Sequence, residues 1–136
     1  MANNRKPRKA HRPRTPNIPM MAESRDHMAT HLHAAVETLI NAPDIEAYNN
    51  VSTKLITMAK AIGERDCLEA AKGAMISIAE RHERVGKVGV SEHEAHVLRQ
   101  ASGQMDAMLG KIPLNKMLNA EIETAIWYET EWNRGQ

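Results

Sequence analysis

VGKVGVSEHE, residues 85–94, is the most clearly punctuated stretch of the chain. Gly86 and Gly89 interrupt the apolar periodicity before them, and Ser91 is followed three residues later by Glu94. That spacing predicts a capping box. The Ser91 hydroxyl can accept from the Glu94 amide while the Glu94 carboxylate accepts from the Ser91 amide. One helix therefore ends before Gly86 and another starts after Ser91. Upstream, Leu68, Ala71, Met75, Ile78, His82 and Val85 recur at three- and four-residue steps, the spacing of one helix side. Downstream, Leu98, Ala101, Met105 and Met108 do the same, with Gly110 as the stop.

The pattern extends in both directions. Met28, Leu32, Ala35, Leu39 and Ile40 fall on one side of a helix that starts near Met20 and ends before Pro43. Asp44 suits the N-cap of the next helix, whose inner side is Ile45, Tyr48, Val51, Leu55, Met58 and Ile62, closed by Gly63. Pro113 suits a first helical turn, and the expected inner stripe of the last helix is Leu114, Leu118, Ile122, Ala125, Tyr128 and Trp132. No segment alternates with the period of a strand. The expected fold is all-α: a compact bundle of about five helices over residues 22–136, with breaks near 41–44, 63–66, 86–90 and 110–113.

A chain of 136 residues suits one domain. It has no Phe and nine Met, so Leu, Ile, Val, Ala and Met must fill the core, and Met specifies a rigid packing poorly. A chain so short of aromatics is expected to leave apolar stripes uncovered and to form at least a homodimer. The single Cys67 excludes an internal disulfide framework and a Cys-pair metal site, and fits a reducing compartment. No stretch approaches the roughly 18 apolar residues of a membrane span, and the N-terminus lacks a secretory pattern, so a soluble protein that stays where it is made is expected.

The net charge of +1 conceals a segregation of signs. Residues 1–25 carry seven Lys/Arg against Glu23, a balance of +6, whereas residues 26–136 carry 11 against 16 acids, a balance of −5. Most of the positive charge lies in RKPRKAHRPRTPNIP, residues 5–19. Pro7, Pro13, Pro16 and Pro19 remove amide donors and fix φ, which predicts a flexible, disordered or polyproline-like arm over residues 1–21. Arg5, Lys6, Arg8, Lys9, Arg12 and Arg14 lie within ten residues. Such a cluster attracts phosphates through counterion release, an acidic protein surface, or the chain's own acidic body. No aromatic residue interleaves with the cations, so a base-stacking platform is missing and nucleic-acid contact through them is expected to be non-specific.

Candidate chemistry elsewhere is sparse. Glu23, His27 and His31 stand at four-residue steps, and His93 and His96 three apart in SEHEAH. The zinc-protease signature requires four-residue spacing, and rings three residues apart diverge by about 60° around a helix. No further ligand is evident for either set, so no metal and no cofactor is expected. His82, on an apolar stripe, is read as a hydrogen-bonded, half-buried side chain. Ser91 is accounted for by capping, Cys67 has no base near it in sequence, and GKVGVS lacks the spacing of a phosphate loop. A helix-turn-helix over 68–109 would present acids to DNA. A non-enzymatic protein without catalytic residues is expected.

AERHERVGKVGVSEHEAHVLRQASGQMDAML, residues 79–109, together with RKPRKAHRPR, residues 5–14, resembles a group of small helical proteins of proteobacterial phages, prophages and other mobile elements. The group's pattern is a charged helix ending in Arg-(Tyr/His)-Glu-Arg, a Gly-Lys/Arg turn, a capped acidic helix start and an alternation ending near Gln-Met/Leu-Asp. The resemblance implies helices and a phage or prophage origin, hence the cytoplasm of a bacterial host cell, and it implies no activity. The leading expectation is an accessory protein that binds a host or phage macromolecule, the acidic Met-lined body contacting protein and the arm contacting nucleic acid or an acidic surface. Alternatives are an inhibitor of a bacterial defence nuclease, a virion structural or packaging-associated protein, and a transcriptional regulator.

Overall fold

The computed structural model describes residues 17–134, with side chains as far as Glu131. The six arm cations Arg5, Lys6, Arg8, Lys9, Arg12 and Arg14, and the side chain of Trp132, lie outside the described residues. Five helices follow one another: α1 (Ala22–Asn41), α2 (Ile45–Ile62), α3 (Asp66–Val85), α4 (Glu92–Leu109) and α5 (Leu114–Arg134). Among the described residues there is no strand. The all-α fold and its four breaks match the punctuation of the sequence.

Each break has a local cause. Asp44 Oδ1 accepts from the Ala47 amide at 2.7 Å and starts α2. At α4 the capping box is complete: Ser91 Oγ accepts from the Glu94 amide at 3.1 Å, and Glu94 Oε1 accepts from the Ser91 amide at 2.8 Å. Gly63 and Gly86 close α2 and α3 with φ of 75°, where a side chain would be strained. Gly110 ends α4 differently, at φ −65°. The chain there tightens through bonds from Lys111 N to the Met108 carbonyl, 3.0 Å, and from Ile112 N to the Leu109 carbonyl, 3.2 Å.

Helices α1 to α4 pack in a closed ring, α1 on α2, α2 on α3, α3 on α4 and α4 on α1. Short connections favour this arrangement because consecutive helices joined that way lie side by side. Leu39, Val51, Ala71 and Ile78 are fully enclosed at its centre, with Leu98 and Met105 closing it from α4. Burial of each larger side chain contributes about 1.5–3 kcal/mol. The stripes of α1 to α4 are the expected ones apart from their ends, where Ile45 and Val85 are exposed.

Helix α5 lies outside the ring and packs chiefly on α2. The stripe expected to face inward is corrected here: Leu118, Ile122 and Ala125 are exposed, while Met117, Ala120 and Thr124 are buried. At about 100° per residue, Ile122 points almost directly away from those three. Before α1, residues 17–21, the end of the arm as delimited from the sequence, are tied to α5 through the backbone of Ile18, with Met20 packed on the core.

Candidate interaction surface

The two faces of α5 have different chemistry. On the inner face, Thr124 Oγ1 donates to the Ala120 carbonyl at 2.7 Å, Thr57 Oγ1 on α2 donates to the Thr53 carbonyl at 2.9 Å, and the two hydroxyl oxygens lie 3.1 Å apart. This contact between two buried hydroxyls sets the register of α5 on α2, with Met117 and Ala120 filling the space beside it. On the outer face, Leu118, Ile122 and Ile126 follow at four-residue steps and are 44%, 57% and 57% exposed. Ala125 lies between them and is also exposed. The stripe ends at Asn115 and Glu129, each seven residues from Ile122 and therefore within about 20° of it around the helix.

The root of the basic arm meets the start of this stripe. Ile18 N donates to Asn115 Oδ1 at 2.9 Å, and Leu114 N donates to the Ile18 carbonyl at 2.7 Å. Leu114 is the first residue of α5, and its amide has no partner within the helix. The incoming chain supplies one. The six cations expected to bind a partner thus precede a segment fixed at the foot of α5.

A cavity of about 330 Å³ opens between α1, α2 and α5, floored by Met28, Leu32, Met58 and Met117 and rimmed by Lys54 and Glu121. His27 and His31 line it, their ring centroids 4.3 Å apart. Glu23 and this pair, and His93 with His96, are not joined by a further ligand: no group of three His, Cys, Asp or Glu among the described residues is placed to hold a metal ion. His82 is half-buried beside Ile45, Tyr48 and Val88. Cys67 is buried, and Ser91 is engaged in its cap.

Charged side chains clamp the helices together. Arg81 on α3 grips Glu94 on α4 and also donates to the Gly89 carbonyl at 2.8 Å. Asp106 on α4 accepts from Arg25 on α1 and lies 2.8 Å from Nε2 of His33 on α1. Arg99 on α4 forks onto Glu37 on α1 at 2.8 and 3.0 Å. The Arg99 bonds hold Glu37 below the usual carboxylate range, and the His33 bond does the same for Asp106. Burial pushes the Tyr48 phenol up, and its hydroxyl donates to the Met75 carbonyl at 3.0 Å. Comparison with protein-family models, with curated proteins and with solved structures gives no significant match.

Two features of this surface escape sequence reasoning. The outward direction of Leu118 and Ile122 is hidden because α5 carries apolar residues on both sides. The attachment of Ile18 to α5 joins residues 97 apart, and only the unpaired first amides of any helix hint at such a partner.

Proposed function

We propose that this is a non-enzymatic accessory protein of phage or prophage origin whose helical body carries a basic arm onto nucleic acid. The attachment of Ile18 to Leu114 and Asn115 supports this reading most, because it fixes the root of the arm on a rigid helix and leaves residues 1–16 upstream of an anchored point. The segregation of charge supports it further. A body with a balance of −5 repels phosphate on the whole, so this reading places the attraction on Arg5, Lys6, Arg8, Lys9, Arg12 and Arg14. Arg25, Arg81 and Arg99 are already engaged with carboxylates of the body.

Binding of labelled duplex DNA by the full chain and by a chain lacking residues 1–16 tests the proposal. The full chain should bind weakly and without sequence preference, its affinity falling with salt at a logarithmic slope of up to about −5 for six phosphate contacts. The shortened chain should lose binding and keep its melting temperature, since the cut precedes Ile18. Equal binding by the two chains would refute the reading. Binding of an acidic polypeptide in preference to DNA would move the arm's partner from nucleic acid to protein.

A further inference from the structure

We infer that the outer face of α5 is a self-association surface, on which a second copy of the chain packs its own α5 antiparallel about a two-fold axis at Ile122. The stripe is self-complementary in that register: Ile122 meets its own copy, and Leu118 meets Ile126. A helix that buries Met117, Ala120 and Thr124 on one side and exposes Leu118, Ile122 and Ile126 on the other carries an apolar stripe on each of two opposite sides, with Glu121 and Glu123 flanking the exposed one.

The ends of the stripe select both the occupant and its direction. Residues 1–16 contain six cations, three prolines and no large apolar side chain beyond Met1, so the chain's own arm cannot cover three aliphatic side chains. Antiparallel pairing lays Glu129 of one copy opposite Asn115 of the other, at the positive N-terminus of that helix and beside the root of that copy's basic arm. Parallel pairing would instead bring Glu129 onto Glu129 and the two arm roots together, with like charges meeting at both ends. One helix face supplies less than the roughly 800 Å² per partner of a standard interface, so the pairing is weak and depends on concentration in the micromolar range. It is independent of what the arms bind.

Sedimentation velocity of the full chain from about 1 to 300 µM, a span chosen to bracket such an affinity, should show the mass rising toward that of two chains. Ile122→Lys should weaken association at least about tenfold, because it places two ammonium groups on the axis, and should leave the helical signal unchanged because Ile122 is exposed. Ile76→Lys, at an exposed position on α3, should leave association unaltered. In a Cys67→Ala background with wild-type helicity, a short bis-maleimide should join Ile122→Cys chains to one another. The same reagent should join Leu118→Cys to Ile126→Cys in an equimolar mixture and leave Leu118→Cys alone largely unlinked. A single-chain mass at every concentration, an Ile122→Lys protein that associates normally, or self-linking of Leu118→Cys stronger than the mixture would overturn the proposal.

Discussion

Arg81 of α3 and Glu94 of α4 meet fork to fork, Nη1 lying 2.9 Å from Oε1 and Nη2 2.7 Å from Oε2, across the glycine turn that separates their helices. The same carboxylate completes the capping box, so one buried side chain both starts α4 and ties it to α3. Burial alone would push the Glu94 carboxyl up. Hydrogen bonds from Arg81 and from the Ser91 amide outweigh it and hold the group at about 2.

That depression gives Glu94 a definite pH signature. The folded value lies below the ordinary 4.5, so the carboxylate's stabilising contribution is complete above that value and is lost as pH falls toward about 2. Urea midpoints should therefore hold steady down to the ordinary carboxyl range and then drop. A carboxyl-carbon NMR titration that places the Glu94 midpoint at or above its ordinary value would contradict this account.

The cap itself can be separated from the ion pair. Ser91→Ala removes the acceptor for the Glu94 amide but leaves Arg81 in place, and should cost on the order of 1 kcal/mol in chemical denaturation. Arg81→Met leaves Glu94 buried without its main charge partner, so the carboxyl titration should move upward. An unshifted titration would mean that the backbone bonds alone hold the group down.

How far such details are legible in sequence depends on their range. Pro43, Gly63, Gly86, the Ser91–Glu94 pair and Pro113 act on their own neighbours, so the ends of the helices can be read from residue types alone. The stripes of α1 to α4 are legible because each helix has one apolar side. Helix α5 has two, and periodicity cannot say which side meets α2; Thr124, polar and fully buried, decides it through Thr57 on another helix. Arg81 as the partner of Glu94 is hidden for the same reason, since both lie among many other charges in the sequence.

The register of α5 makes a contrast that stability measurements can read. Met117→Ala opens space under α5 and should cost about 2–5 kcal/mol, as large-to-small core changes do. Ile122→Ser, five residues on and on the outer face, should stay within about 0.5 kcal/mol at concentrations where the chain is monomeric. Comparable losses from the two substitutions would mean that α5 is rotated relative to the packing described.

Asp106 offers the opposite case to Glu94, a carboxylate clamp nearer the surface. It bridges Arg25 and His33, both on α1, and its pKa is lowered by the His33 bond, with burial opposing and the Arg25 charge adding to the effect. Its contribution is therefore present above the ordinary 3.8 and fades as pH falls below it. The partners are considerably more exposed than Glu94, with side-chain exposure of 37% for Arg25, 43% for His33 and 26% for Asp106 against 6% for Glu94. Solvent screening discounts such a clamp, and Asp106→Asn should cost under about 1 kcal/mol near neutral pH in dilute buffer. Salt separates the two cases, because mobile ions reach the α1–α4 clamp and not the enclosed carboxylate. With a screening length near 3 Å in about 1 M salt, the melting-temperature gap between wild type and Asp106→Asn should shrink markedly, while the gap for Glu94→Gln persists. A gap at Asp106 that ignores salt, or one at Glu94 that collapses with it, would reverse the assignment of which clamp is shielded from solvent.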